Sequence, residues 1–593
     1  KIRTLWSGCW QGMYASQSSG DEAMCNYLAY FCGKGNQAQA ERLFLKSKLG
    51  QRGKATDRKD YVRRTVDFAY SGRTDFYQWA PLRPEITITT REHEVTDQAV
   101  AAIAADGNIF QRGGNLVAIL EECKPQPKRT NIKRQPGSLC ISLLPHAQIR
   151  RLMTVHADWV KIRINRDQQE KVPAHPPTWA VEAVATLGNW RGIRPLEGIV
   201  EAPMLRPDGS LIDQPGYDPD TGLWFVPSVV FPAIPDNPTK LQAESTMDDL
   251  VAVVTDFPFA GVEHQAAWLA SCLTALARFA IDGPCPLFLF DANCPGTGKS
   301  KLCDVVAILA TGREMARGAY PDDQSEMEKM LLSVALAGDR FVLFDNVASG
   351  FSVGGSALDR ALTARTIKGR ILGKSKMTPE LPVNVVFYAT GNNLGVRGDA
   401  LRRIIPCRLE TTEERPEERT GFKIQGDLLA YVKEHRGELV AAGLTILRAY
   451  IVAGRPDQGL TPMDYPAWCG LIRNAVKWVT AQDPCEARKE LTMSDENTIE
   501  RKALIDGWEA LCSLANKQNL TAAEAREGVD QPALPSPAVV ALRDIFMSWT
   551  RDGKLPSAKS IGRRIAKYRD RNCGGKCFKR TCSDPVAWYV QAV

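Results

Sequence analysis

The residues whose types and spacing could do chemistry are concentrated between 287 and 403. Leu287-Phe288-Leu289-Phe290 is a short apolar run, followed by Asp291-Ala292-Asn293-Cys294-Pro295-Gly296-Thr297-Gly298-Lys299-Ser300-Lys301 and a helical pattern. Strand, glycine-bearing loop and helix in that order can cradle phosphates. Backbone N–H groups point inward, the helix N-terminus adds positive potential, Lys299 reaches the distal phosphates and Ser300 ligates Mg²⁺. The expected ATP-contacting set is Asn293, Cys294, Pro295, Gly296, Thr297, Gly298, Lys299, Ser300 and Lys301. The first glycine of the G-x-x-x-x-G-K-[ST] pattern is replaced by Asn293. Asparagine tolerates positive φ better than most residues, so the loop is expected to form.

A metal-binding acid should end a neighbouring apolar strand, and Phe341-Val342-Leu343-Phe344-Asp345 supplies Asp345. The next residue, often a second acid that activates water, is Asn346. That leaves the base open: Asn346 could orient water by hydrogen bonding, and Glu326 and Glu328 are acidic substitutes on the preceding helix. A third apolar run, Val383 to Thr390, leads into Gly391-Asn392-Asn393, where Asn392 can hold the nucleophilic water. Then come Arg402 and Arg403, just before Ile404-Ile405-Pro406. In a ring, one of this pair would reach the neighbour's γ-phosphate; the alternative is a structural salt bridge. Loop, acid strand and amide strand in this order resemble an AAA+ arrangement.

These groups need a scaffold. The spacing predicts helix 262–280, strand 286–290, helix 299–310, helix 323–337, strand 341–345 and strand 383–389, the alternation of a parallel α/β sheet. At 593 residues the chain exceeds one core, and about 150 residues per domain implies roughly four. The expected division is 1–82, a helix bundle; 83–238, a mixed strand-rich domain; 239–412, the P-loop core; 413–520, helical lid; and 521–593, a basic winged-helix-like module. The expected fold class is therefore multidomain α/β and α+β. A 44% hydrophobic and 24% charged composition is that of folded globular domains. No apolar stretch approaches a membrane span, and sixteen scattered cysteines fit a reducing cytoplasmic setting.

Loop, Asp-Asn strand, Gly-Asn-Asn strand and Arg402-Arg403-Ile404-Ile405-Pro406 together resemble the superfamily 3 and poxvirus-type primase-helicases of phages and mobile elements. Leu5-Trp6-Ser7-Gly8, Tyr14 to Ser18 and Cys25 to Ala29 resemble the helix bundle that follows the catalytic domain of phage-type primase-polymerases. Arg194 to Val200, with Arg206 to Ser210, resembles the segment preceding the helicase core of mobile-element replication proteins. The resemblance implies an ATP-dependent, Mg²⁺-using replicative DNA helicase, a homo-hexameric ring moving 3′→5′ on single-stranded DNA. It also implies a primase-polymerase, as an upstream domain or a partner. The alternatives are an initiator or loader that melts DNA without processive unwinding, and a protein-remodelling or antiphage signalling ATPase.

Net charge is only +7, but local runs matter more for a polyanion. Residues 42–64 hold nine Lys/Arg, and so do residues 555–580. Between the acid and amide strands, Lys368, Arg370, Lys374 and Lys376 lie in a Gly-punctuated segment with hairpin character; in related rings such a hairpin faces the channel. At the C-terminus a helix 558–569 carries Arg563, Arg564 and Lys567, and a hairpin around Gly574-Gly575 would carry Lys576 and Lys579, as a winged helix gripping duplex or forked DNA would. Cys573, Cys577 and Cys582 have no nearby histidine and fall short of a tetrahedral zinc set. Arg473 is a further candidate for nucleotide contact, with an ordinary surface arginine as the plainer reading.

Overall fold

The computed structural model describes residues 1–58, 60–77, 83–121, 132–165, 168–348, 352–369, 378, 380–489, 491, 496–531, 536–550, 553–571, 573–582 and 584–592. Contacts divide the chain into two compact units, Lys1–Thr87 with His156–Pro173, and Ile88–Val155 with Ala174–Val593. The first unit therefore takes in residues 83–87 and 156–173 of the segment expected as 83–238.

In the first unit, helices Gln17–Cys32, Gln37–Lys46 and Tyr61–Tyr70 bury Met24, Leu28, Phe44 and Val66 against one another. Ser16 caps the first of them by accepting from Ser19 N–H at 3.1 Å, which satisfies one orphan donor of its opening turn. Buried Asp21 accepts from Arg52 at 2.6 Å and Tyr61 at 3.0 Å, tying the bundle across its sequence. Asp158–Asn165 and Gln168–Pro173 add an antiparallel hairpin.

The largest sheet of the second unit is six-stranded. Its parallel strands are β1 (Leu287–Ala292), β2 (Arg317–Gly318), β3 (Phe341–Val347), β4 (Val386–Asn392) and β5 (Ile404–Leu409), in the spatial order β5-β1-β4-β3-β2. The two-residue strand Ile132–Lys133 pairs antiparallel with β2 and covers that edge. Helices α1 (Lys299–Thr311) and α2 (Gln324–Ala337) are the crossovers after β1 and β2. All six residues of β1 are buried, as a strand covered on both faces requires. Phe288 and Phe290 join the cluster of helix Val262–Ala277, α1 and helix Arg436–Val452; Leu287 and Leu289 join that of α2 and helix Ser356–Ala361.

Strand β4 begins three residues later than the apolar run predicts. Leu381–Pro382 instead pairs with Thr366–Ile367. Proline has no N–H for the ladder, and β4 is fixed at its far end by the register Ala292↔Asn392 with β1. The shift carries Gly391 and Asn392 into the strand end.

Toward the C-terminus, helices Glu496–Leu514, Ala522–Val529, Pro537–Ser548 and Ala558–Ile565 pack on a sheet of Leu520–Thr521, Ala587–Ala592 and Lys576–Arg580, in that order. The core is Trp508, Leu542, Ile561, Phe578 and Trp588, and the Trp508 indole donates to the Trp588 carbonyl at 3.0 Å. The main hairpin turns between 580 and 587. Gly574-Gly575, both at positive φ, makes a separate tight turn closed by the Cys573–Lys576 backbone pair, a correction to the expected hairpin centre. Among the described residues, no helix is long and apolar enough to cross a membrane.

Phe290 is fully buried in the larger cluster. Phe290→Ala is expected to lower stability by about 3–5 kcal/mol, read by chemical denaturation.

Candidate functional site

The carboxyl ends of β1, β4 and β3 lie side by side, and loops at such ends build sites in α/β sheets. From β1 the chain enters the loop Asn293–Gly298 and then α1. Gly296 and Gly298 are at φ +80° and +93°, conformations that glycine adopts without steric cost. A Cβ on Gly298 would also meet Phe257 at 2.6 Å. Asn293 is not among the positive-φ residues, contrary to the reason expected for it. Its amide instead reads the backbone of Thr411: Nδ2 donates to the Thr411 carbonyl at 2.7 Å, and Thr411 N–H donates to Oδ1 at 3.3 Å. The loop is thereby fastened to the segment that follows β5.

Lys299, half-buried at the start of α1, donates from Nζ to Asn392 Oδ1 at 2.7 Å and to the Cys294 carbonyl and Thr297 hydroxyl at 3.3 Å each. Burial lowers its pKa below the usual lysine range. Beside it, Ser300 Oγ donates to Asp345 Oδ1 at 2.9 Å, and Thr390 Oγ1 donates to the same oxygen at 2.7 Å. Loop lysine, loop serine, acid and amide thus meet across three strands.

Asp345 and Asn346 sit where the β3–β4 register shifts, between Phe344 and Val347. Asn346 is exposed at φ 55°, and its N–H donates to Thr390 Oγ1 at 2.8 Å. Asparagine is several-fold enriched in this left-handed region, so the bulge gives the amide a backbone reason to stand where an acid was expected. Glu326 and Glu328 are ion-paired with Lys329 at 2.6 Å and Arg360 at 3.2 Å on the surface.

Three groups were missed from the sequence. Thr390 is a buried hub that donates to Asp345 and accepts from Asn346; a hydroxyl inside an apolar strand was its signal. Asp291, raised by burial, accepts from Leu394 N–H at 3.1 Å and pairs with Arg408 at 2.5 Å, bracing the ends of β1, β4 and β5. Asp304, pushed up to about 6 by burial, accepts from Arg317 at 2.5 Å. Next to the loop is a cavity of about 300 Å³, lined by Phe257, Pro258, Gly298, Lys301, Pro416 and Phe422 among others. Its wall is fixed by Asp256, whose carbonyl accepts from Arg419 at 3.0 Å and whose carboxylate accepts from Lys423 N–H at 2.7 Å.

The two expected arginines part company. Arg403 is buried and tied to Asp359 at 2.9 Å and Asp399 at 3.5 Å. Arg402 has a side chain 55% exposed, with longer contacts to Asp399 at 3.4 Å and Asp464 at 3.5 Å. Arg473 is buried in a bidentate pair with Asp483, at 2.9 and 2.6 Å, and so is neither a nucleotide-facing nor a surface arginine.

Of the basic candidates, Lys368 stands at the base of the Thr366–Ile367 and Leu381–Pro382 pair and contacts Glu380 at 2.8 Å. Arg370, Lys374 and Lys376 lie outside the described residues. On the helix Ala558–Ile565 and the turn after it, Arg563 and Lys567 are exposed, while Arg564 lies 5.0 Å over the Trp549 ring. Lys576 pairs with Glu509 at 2.6 Å and Lys579 with Asp570 at 2.8 Å, so each already has an acidic partner. Among the described residues, no group of three potential metal ligands comes together. Cys577 is buried and Cys582 exposed.

Residues 17–79 match the family described as the NrS-1 polymerase HBD domain. No curated protein matches the chain. Among solved structures, the chain is similar to an apo form of the NrS-1 C-terminal region at 12% identity, covering 80% of this chain and 96% of that one, with a TM-score of 0.36. It is similar to a JCV helicase at 15% identity, covering 44% and 71%, with a TM-score of 0.15. Both structural likenesses are too distant to carry function.

Thr390→Val would strip Asp345 of one donor and leave the Asn346 N–H without its acceptor. A stability loss of about 1–3 kcal/mol is expected by chemical denaturation.

Proposed function

We propose that the chain is an ATP-dependent DNA helicase of the phage or mobile-element replication type, with its nucleotide site at the Asn293–Lys301 loop of an AAA+ core. The observation that carries the reading is the meeting of Lys299 with Asn392 and of Ser300 with Asp345 at the ends of adjacent strands, in a sheet ordered β5-β1-β4-β3-β2. The match of residues 17–79 to a polymerase-associated domain supports a replication setting and work beside a primase-polymerase, as a joined domain or a partner.

In this reading the triphosphate lies along the loop N–H groups at the start of α1, and the base enters the cavity by Phe257 and Phe422. Lys299 leaves the Asn392 oxygen for the distal phosphates, which frees Asn392 to orient water. The donor set fits Mg²⁺: Ser300 Oγ and Asp345 Oδ1 present hard oxygens 2.9 Å apart. Bound there, the metal would neutralise charge building on the phosphates. Asn346, carrying no carboxylate, orients water without accepting its proton. Arg402 is the residue offered to the neighbouring subunit of a hexameric ring, because Arg403 is spent inside its own chain.

Single-stranded or forked DNA would meet the 368–376 segment and the exposed Arg563 and Lys567. The order of helices and strands from Glu496 to Ala592 supports a winged-helix reading of this basic end. Cytoplasmic location and the five-domain division belong to the same proposal.

Purified protein is expected to separate forked DNA with ATP and Mg²⁺, with Lys299→Ala abolishing separation. Hydrolysis without strand separation on any fork would favour the initiator reading, and hydrolysis indifferent to all nucleic acid would favour protein remodelling. Mixing Arg402→Ala with Lys299→Ala subunits should restore part of the hydrolysis; no recovery in verified mixed oligomers would remove Arg402 from the role.

A further inference from the structure

We infer that Arg317 is a positioning residue for Asp345, that Asp304 holds it in that role, and that the pair sets how readily the site takes its divalent cation. The inference rests on the nucleotide-site reading above. Arg317 stands on β2, next to β3 in register Arg317↔Leu343, two residues before the acid. Its Nη2 donates to Asp304 Oδ2 at 2.5 Å, and its Nε lies 3.7 Å from Asp345 Oδ2. That Nε is buried and makes no hydrogen bond. A guanidinium nitrogen without a partner beside a carboxylate oxygen is attracted to it but held short of full contact.

Asp304 does the holding. It lies on α1, five residues after Lys299, with only 3% of its side chain exposed, and its second oxygen accepts from Met315 N–H at 3.1 Å. The backbone therefore fixes Asp304, Asp304 fixes Arg317, and Arg317 faces the side of Asp345 that the hydroxyls of Ser300 and Thr390 leave open. Oδ1 is taken by two hydroxyls and Oδ2 faces a cation. The acid is thereby aimed with Oδ1 toward Ser300, and a fixed positive charge stands on the other side of the same carboxylate that a divalent cation must approach.

Two opposite effects follow from one geometry. Removing the guanidinium relieves repulsion toward an incoming divalent ion. Removing the Asp304 charge frees the guanidinium to close on Asp345 and compete with that ion. A salt bridge that only fastens β2 to α1 would produce neither.

The test is equilibrium binding of a fluorescent, non-hydrolysable ATP analogue to the full chain during Mg²⁺ titration. Arg317→Gln should lower the Mg²⁺ half-saturation about three- to tenfold, the size expected for one nearby charge in a partly wet site. Asp304→Asn should raise it, and Arg317→Lys should return it toward the starting value. In hydrolysis assays, Arg317→Gln should reduce kcat with KM for ATP nearly unchanged. Unchanged half-saturation in both variants, with lowered thermal midpoints, would overturn the inference and leave a structural fastener. Wild-type protein that binds no nucleotide at any Mg²⁺ concentration would overturn the site reading and the inference together.

Discussion

An ammonium group half withdrawn from water cannot be left without acceptors, and the arrangement around Lys299 answers that constraint. Its three oxygen partners come from the loop and from the end of β4. Those partners exist because β1 and β4 are paired in parallel with Ala292 opposite Asn392, so the end of β1 that feeds the loop and the end of β4 are held together. All three acceptors are neutral. In the proposed reading, a polyanion that enters the loop offers the same ammonium a stronger partner and releases Asn392 for water.

The two departures from the usual pattern have different physical origins. Asn293 keeps ordinary backbone geometry and uses its amide as a two-way clasp on Thr411, which glycine could not make. Asn346 sits at a register shift in the left-handed region, where a short amide is favoured and its N–H finds the Thr390 hydroxyl. The first ties the loop to the segment leading to the later helices. In the proposed reading, the second exchanges proton-accepting ability for a fixed direction.

Much of the parallel sheet was legible because buried strands read as unbroken apolar runs and the glycine loop has few alternatives. Lys299, Ser300, Asp345 and Asn392 could be placed near one another from strand order alone. The fate of Arg402 and Arg403 could not, since adjacent residues leave a turn in different directions and only packing decides which is buried. Asp291, and Asp304 with its partner Arg317, were invisible for a related reason: each matters through a partner far along the chain, and a two-residue strand such as β2 leaves almost no pattern. The start of β4 and the turn of the last hairpin were misjudged because pairing partners, not local composition, set where strands begin and end.

The central claim is that the Lys299 site takes a nucleoside triphosphate, and direct calorimetric titration of the full chain with a non-hydrolysable ATP analogue and Mg²⁺ tests it most simply. The account predicts saturable binding, near one nucleotide per chain, weakened at least about a hundredfold in Lys299→Ala, as loss of a charged contact worth about 3 kcal/mol implies. Equal binding by the two proteins, or none by the wild type, would contradict it.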